Sequence, residues 1–306
     1  MTDTAGSTGT RCGFVALVGA PNAGKSTLMN ALIGGKVSIV SPKVQTTRTR
    51  VTGIIAEGAS QIIFVDTPGI FVPKRRLDRA MVRAAWDGAK DADEVVLLID
   101  ASQGRLDEDS ERIIAGLEQA GRKAVLVLNK IDLVKQRDKL LARVQALNER
   151  FPFTRTFMIS ATSGDGIADL RSYLAGEMSE GPWLYPEDEM TDMPLRLLAA
   201  EVTREKLFLN YHQEVPYGLT VETEKWEDFK DGSVKIDQTV YVQRDNHKAI
   251  VLGKGGQAIR RVREQSQSEL EAMMERKVHL FLFVKVRESW DEDPERFKPW
   301  GLEWNA

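Results

Sequence analysis

The sequence predicts an α/β protein of two domains: a mostly parallel, doubly wound sheet with helices on both faces over 13–178, and a smaller α+β domain over 194–287. Three observations carry this reading. From Phe14 to about Leu174, short β-branched apolar runs alternate with amphipathic stretches, the rhythm of a parallel sheet with crossover helices. Most of those runs are near-continuous rather than alternating, as expected of strands covered on both faces. The stretch Gly176–Met193 is rich in Pro, Gly and acids and has no periodicity, so a linker is placed at 179–193 and a region of different rhythm follows it. A chain of 306 residues suits two cores better than one.

In order, the strands of the first domain are expected at Phe14–Val18, Val51–Glu57, Gln61–Val65, Val95–Ile99, Ala124–Leu128 and Thr156–Ile159. Helical patterns follow at Ser26–Ile33, Leu77–Lys90, Asp107–Ala120, Asp138–Arg150 and Ile167–Gly176. Ligands of such sheets sit at the carboxyl ends of the strands. The second domain reads as a helix (Pro194–Asn210), two strands (Tyr217–Glu224 and Ser233–Gln243), a short helix (His247–Leu252), a Gly-containing turn, a long helix (Gln257–Arg276) and a strand (Val278–Arg287). Residues 1–12 are expected to be a disordered leader, since they are Thr-, Gly- and Ser-rich without the apolar core of a signal peptide. Residues 288–306 form a tail with six acids, two bases and three tryptophans, Trp290, Trp300 and Trp304; an acidic extension whose tryptophans dock on its own protein is expected.

A single cysteine, Cys12, excludes a disulfide framework and a thiol cluster for zinc, and points to a reducing cytoplasmic setting. No apolar run reaches the roughly 20 residues needed to span a bilayer. The net charge of −3 argues against a protein that coats nucleic acid over its whole surface.

The strand ending at Val18 runs into Gly19-Ala20-Pro21-Asn22-Ala23-Gly24-Lys25-Ser26, followed by Thr27 at the start of a helix. Strand, glycine-rich loop and helix together form a phosphate cradle: backbone N–H groups and the helix dipole face the phosphates, Lys25 reaches the terminal ones, and Ser26 offers a hydroxyl to Mg²⁺. Asp66-Thr67-Pro68-Gly69 follows the third strand. It brings a carboxylate for Mg²⁺ and, at Gly69, an N–H for the γ-phosphate. Asn129-Lys130-Ile131-Asp132 closes the fifth strand. The Asp132 carboxylate can accept from the guanine N1–H and N2 amino group, which adenine would not satisfy, and Lys130 can lay its stem along the base. Ser160-Ala161-Thr162, after the sixth strand, offers a backbone N–H to the guanine carbonyl. Together these motifs point to GTP binding with Mg²⁺. A P-loop ATPase is opposed by Asp132 and the Asn129-Lys130 pair.

In the second domain, 247–263 carries five basic residues and no acidic one. Lys248, Lys254, Arg260, Arg261 and Arg263 surround Gly253-Lys254-Gly255-Gly256, a G-x-x-G turn between two helices. Such a turn lets a nucleic-acid backbone approach closely and is the clamp that KH domains use. Ile250, Leu252, Ile259 and Val262 are expected to be core or groove-floor residues.

The four nucleotide motifs, with Ser41-Pro42-Lys43-Val44-Gln45-Thr46-Thr47-Arg48 between them, resemble the Era/TrmE-like group of translation-factor-related GTPases, and the αββααβ order with its G-x-x-G turn resembles a type II KH domain. The combination, over roughly Gly13–Arg287, resembles the bacterial Era family. The resemblance implies a P-loop GTPase domain followed by the KH domain. In that group a threonine of the first switch loop caps Mg²⁺ when the γ-phosphate is bound; Thr47 is the candidate and Thr46 the alternative. Where many small GTPases carry a water-orienting glutamine, Ile70 stands, so hydrolysis is expected to be slow. Several GTPases with that replacement hold a monovalent cation near an asparagine of the phosphate loop, and Asn22 is at the matching position; K⁺ is therefore a further expected cofactor. Lys25, Thr47, Gly69 and Asn22 form the implied catalytic set. The implied partners are small-subunit ribosomal RNA, near its 3′ end, and the small ribosomal subunit, whose biogenesis the protein would serve. A monomer with peripheral contact at the inner face of the cell membrane is also expected. The alternative is an RNA-binding module whose nucleotide site is structural and hydrolyses almost nothing.

Overall fold

The computed structural model describes residues 9–73, 75–136, 138–294 and 302–304. Positions 1–8 of the expected leader, and Trp300 of the tail, lie outside the described residues. The described chain divides into two compact units, one of 9–38, 47–192 and 302–304, the other of 39–46 and 193–294.

The first unit is a seven-stranded sheet. Its elements are β1 (Arg11–Gly19), α1 (Lys25–Ile33), β2 (Val51–Glu57), β3 (Ser60–Asp66), α2 (Arg76–Asp91), β4 (Glu94–Asp100), α3 (Glu108–Gln119), β5 (Val125–Asn129), α4 (Asp138–Arg150), β6 (Thr156–Met158), α5 (Ile167–Glu177) and β7 (Ser179–Glu180). The strand order is β2-β3-β1-β4-β5-β6, with β7 beside β1. All pairings are parallel except β2 with β3 and β7 with β1. The β2–β3 reversal follows from its length: Glu57 pairs with Ser60, and a two-residue link containing Gly58 at φ 60° makes a hairpin but no crossover. Residues 95–99 of β4 are all fully buried, which explains their unbroken apolar run. The chain leaves β1 in one direction toward β3 and in the other toward β4, so the loop after β1 opens at the point where strand order reverses.

Two boundaries differ from expectation. Arg11 and Cys12 fall within β1 rather than the leader, because they pair with both Ser60–Gln61 and Ser179–Glu180. The stretch read as linker is laid along the first unit by specific bonds. The Gln61 carboxamide, fully buried, accepts from the Leu184 and Tyr185 amides and donates to the Tyr185 carbonyl. Ile54 N–H reaches the Met190 carbonyl and Thr191 Oγ1 the Thr52 carbonyl. A periodicity scan is blind to such pairing.

The second unit has α6 (Leu195–Asn210), β8 (Leu219–Asp228), β9 (Val234–Val242), α7 (Asp245–Leu252), α8 (Gln257–Met274) and β10 (Val278–Val286), the expected αββααβ order. β9 is central, antiparallel to β8 and parallel to β10. Its core joins Phe208, Leu219, Val240, Val251 and Val262. In the segment 39–46, Val40 N–H donates to Glu205 Oε1 at 2.7 Å and the Thr46 carbonyl accepts from Arg204, a fully buried cation also paired with Glu201. The tail begins with an anchor: Trp290 is fully buried and its Nε1 donates to the Gly218 carbonyl at 3.0 Å. In the first unit the Arg76 guanidinium lies 4.3 Å from the Trp304 ring centre. Among the described residues no helix is long and apolar enough to cross a membrane.

Candidate functional site

The carboxyl ends of β1, β3 and β5 place Gly19, Asp66 and Asn129 on one edge of the sheet. From Gly19 the chain passes Ala20, Pro21, Asn22 and Ala23 to Gly24, which caps α1 at φ 101°. A Cβ on Gly24 would lie 2.3 Å from Asn129 Nδ2, so both backbone conformation and space demand glycine there. Lys25 opens α1 and is 6% exposed. Its ammonium donates to the Gly19 and Ala20 carbonyls at 3.0 and 3.1 Å. Burial pulls its pKa down to about 8, against the pull of Asp66. A buried cation held only by carbonyls is poised to exchange them for phosphate oxygens.

Beside it lies a cluster of oxygens. Ser26 Oγ donates to Asp66 Oδ2 at 2.6 Å and sits 2.9 Å from Thr47 Oγ1, which is itself 3.3 Å from the same carboxylate oxygen. The Thr46 hydroxyl is elsewhere, bonded to Ser41 Oγ and the Lys43 carbonyl. Asp66 is fully buried, and burial raises its carboxyl above the usual range, against Lys25 and the hydroxyls of Ser26, Ser38 and Thr47. Its Oδ1 is buried without a hydrogen-bond partner. Hard oxygen donors beside a buried carboxylate with one oxygen still unsatisfied fit a small divalent cation such as Mg²⁺.

Thr67 is buried and bonded through Oγ1 to the Leu17 carbonyl, and Pro68 is buried beside it. Gly69 is so close to Pro21 that a Cβ would come within 3.0 Å. Ile70 donates its N–H to the Gly19 carbonyl at 3.3 Å, and its side chain is 4% exposed within the core. It can neither bind nor orient a water. Asn22, exposed at φ 63°, accepts at its carbonyl from Lys130 Nζ at 2.7 Å.

Asn129 fastens the base-side loops. Nδ2 donates to the Ala23 carbonyl at 2.9 Å and Oδ1 accepts from the Ala161 N–H at 3.1 Å. Of the Ser160-Ala161-Thr162 amides, from which a donor to guanine is expected, that of Ala161 is thus given to Asn129 in this structure. Ser160 turns its Oγ to the Ser163 amide. Asp132 is exposed in the short helical turn Ile131–Leu133, and Thr27 lies on the first turn of α1.

Two contributors escaped the sequence reading. Ser38 Oγ donates to Asp66 Oδ2 at 2.9 Å, and the loop that delivers it is held by Asn30, whose Oδ1 accepts from the Val37 and Ser38 amides. Nothing in the sequence marks it. Asp100 pairs with Lys130 Nζ at 2.7 Å. Burial alone would raise its carboxyl, but hydrogen bonds from Lys130 and Ser102 outweigh it and hold the pKa below the usual value. Its position, a carboxylate ending an apolar run like Asp66, was the available signal.

In the second unit Gly253 (φ 68°), Gly255 (φ 59°) and Gly256 (φ 77°) turn the chain between α7 and α8. A Cβ on Gly253 would meet Ala258 at 2.6 Å, whereas Gly255 and Gly256 face open space. Two of the five cations are partly neutralised: Arg260 and Arg263 both reach Glu264 Oε1, at 2.9 and 3.3 Å, an acid one residue beyond the basic stretch. Lys248, Lys254 and Arg261 form no ion pair among the described residues. Val262 is fully buried and Leu252 and Ile259 half-buried, but Ile250 is 51% exposed; Val251 takes the core position instead, so Ile250 is not a core residue.

Residues 14–130 match the family model described as 50S ribosome-binding GTPase, and residues 214–291 match the KH domain model. GTPase Era of Afipia carboxidovorans is 60% identical over 294 residues, covering 96% of this chain and 95% of the relative. GTPase Era of Rhizobium meliloti is 58% identical over 308 residues, covering 99% and 98%. Two solved structures superpose with a TM-score of 0.90 at 37% identity, covering 95% of this chain and 99% of the other. One is a variant of Aquifex aeolicus Era bound to GDP.AlF4-; the other is Era in complex with MgGDPNP and nucleotides 1506–1542 of 16S ribosomal RNA.

Proposed function

Since this chain belongs to the Era family of GTPases, we propose that it is a slow GTP-hydrolysing, RNA-binding protein of small ribosomal subunit biogenesis. It acts in the cytoplasm and binds small-subunit ribosomal RNA near the 3′ end. The observation that carries the hydrolytic half is the gathering of the Ser26 and Thr47 hydroxyls at Asp66 Oδ2, on a carboxylate whose Oδ1 is buried without a partner, together with a lysine whose hydrogen bonds among the described residues go to backbone carbonyls. When bound there, Mg²⁺ neutralises charge on the β- and γ-phosphate oxygens. Ser26, Thr47 and Asp66 are the residues that would hold it; the geometry favours Thr47 over Thr46. Lys25 exchanges the Gly19 and Ala20 carbonyls for phosphate, and the N–H of Gly69 meets the γ-phosphate. Asp132 selects guanine, while Asn129 keeps the phosphate loop and the 160-loop in register with the base.

Because Ile70 is built into the core, no side chain at that position orients water. Asn22, whose side chain forms no hydrogen bond among the described residues, would hold in part a K⁺ ion, which would supply the charge that an arginine supplies elsewhere. Hydrolysis should be faster in KCl than in NaCl, and Asn22→Ala should erase the difference. Equal rates in both salts refute the K⁺ role.

The RNA half rests on the open turn at Gly255 and Gly256, flanked by Lys248, Lys254 and Arg261, which form no ion pair among the described residues. In-cell crosslinking of bound RNA tests it. The wild type should recover the 3′ region of small-subunit RNA, and a Gly255→Asp, Gly256→Asp double variant should lose it. An unaltered RNA profile in that variant sinks the assignment.

A further inference from the structure

The loop after β4, the stretch 133–136 after β5 and one face of α4 enclose a cavity of about 760 Å³. None of the nucleotide-motif residues lines it. Its floor is apolar: Leu140 and Leu147 are buried, Leu106 and Val134 half-buried, and Leu133 lies 60% exposed at its edge. Its rim is cationic, with Arg105, Lys135, Lys139, Arg143 and Arg150, and no Asp or Glu is among the described lining residues. Elsewhere on this unit cations find carboxylates, as Arg112 does with Asp109 and Arg171 with Glu57. Among the described residues these five form no ion pair.

Arg143 is the informative member. Its Nη1 donates to the Ala101 and Gln103 carbonyls at 3.1 and 2.6 Å, while Nη2 is buried without a partner. Burial depresses the guanidinium pKa despite the fields of Asp100 and Asp107. Both carboxylates are committed elsewhere: Asp100 to Lys130 and Ser102, Asp107 to the N-cap of α3 through Ser110. Lys139 and Arg143 are like charges four residues apart on α4, a repulsive spacing. Lys139 also sits in the first turn of that helix, at its positive end. Charges arranged in this way weaken the apo fold and attract an anion.

We propose that this cavity binds a small organic polyanion, a phosphorylated molecule whose apolar or aromatic body lies on the leucine floor while its phosphates meet the cationic rim. The volume is that of an ordinary ligand site, and guanidinium planes favour both phosphate and stacked rings. The floor separates this class from bare phosphate, and the five cations call for more than one negative charge.

The test uses the full chain saturated with GDP, so that the nucleotide site is blocked, and trinitrophenyl-ATP as a fluorescent probe with an aromatic body and a triphosphate. Saturable one-site binding is expected. A Lys139→Glu, Arg150→Glu double variant should weaken it by about tenfold or more with GDP affinity unchanged and the thermal midpoint no lower than that of the wild type. Leu133→Asp should weaken it independently, and inorganic tripolyphosphate should compete only poorly. The proposal is overturned by non-saturable binding, by a probe affinity indifferent to the double variant, or by tripolyphosphate competing as well as unlabelled ATP. Competition by RNA alone, with unlabelled ATP ineffective, also overturns it and makes the patch a nucleic-acid contact. Since the GDP site is scored separately, failure here leaves the GTPase reading intact.

Discussion

Replacing Asn129 with Ala removes one side chain and strands two backbone groups. The Ala23 carbonyl loses its bond from Nδ2 at 2.9 Å, and the Ala161 N–H loses its acceptor Oδ1 at 3.1 Å. Ala23, Ala161 and Asn129 are 2%, 7% and 2% exposed, so water does not readily replace either partner. Each unsatisfied buried group costs about 1–3 kcal/mol, and part of the pair's sum is recovered by relaxation, leaving about 3 kcal/mol. If this falls on the nucleotide-competent arrangement of the two loops, GDP binding weakens by about a hundredfold. If it falls on the apo fold, the urea midpoint drops instead. Asn129→Asp keeps the acceptor for Ala161 but sets a carboxylate oxygen against the Ala23 carbonyl, so it should bind GDP no better than the Ala variant. A second variant isolates the contact. Gly24→Ala places a Cβ 2.3 Å from Asn129 Nδ2 and strains a φ of 101°. In the Asn129→Ala background only the strain remains, about 1–2 kcal/mol, so Gly24→Ala should cost less there than in the wild type. The assays are titration with a fluorescent GDP analogue and urea unfolding of the wild type and the four variants. An Asn129→Ala protein within about threefold of wild-type affinity and with an unshifted midpoint would refute the reasoning.

Asp132→Asn should weaken GDP by at least about a hundredfold and shift preference toward xanthine nucleotides, whose ring carbonyl suits an amide donor; competition of GDP and XDP for one fluorescent analogue reads this directly. Trp290→Ala should destabilise the second unit by about 3–5 kcal/mol through its cavity and the lost bond to the Gly218 carbonyl, with Trp290→Phe intermediate, both seen in urea melts. Tyr211 donates to the Val251 carbonyl at 2.6 Å, and burial, opposed by Arg261, pushes its phenol up to about 12. A folded-state pKa above the unfolded value of about 10 means that this stabilisation is complete below pH 10 and lost as pH rises to about 12. Tyr211→Phe should cost about 1–2 kcal/mol at pH 8 and flatten the alkaline loss.

How much of this was legible depends on how local each feature is. The phosphate loop, Asp66 and the Asn129-Lys130-Asp132 string follow apolar runs and were readable because a strand end, a turn and a side chain are specified by adjacent residues. The boundary at Arg11 was missed because β1 is extended by partners distant in sequence, Ser60 and Glu180. Ile250 and Val251 exchange roles because a short helix beside a glycine turn leaves its phase to the neighbours it packs against.

Chemistry was therefore written locally: the sequence by itself marked the residues expected to cradle phosphate, carry Mg²⁺ and choose guanine, and a G-x-x-G turn with five cations beyond an αββ arrangement. Tertiary structure alone decided that Thr47 rather than Thr46 reaches Ser26 and Asp66, that Ser38 shares that carboxylate, that Lys130 leans on Asp100, and that Glu264 claims two of the cations. It also enclosed the cationic cavity of Arg105, Lys135 and α4. The physical reason is range: backbone conformation is set by a few neighbouring residues, whereas hydrogen bonds of 2.6–3.3 Å among Ser26, Ser38, Thr47 and Asp66 exist only once separate segments pack into register.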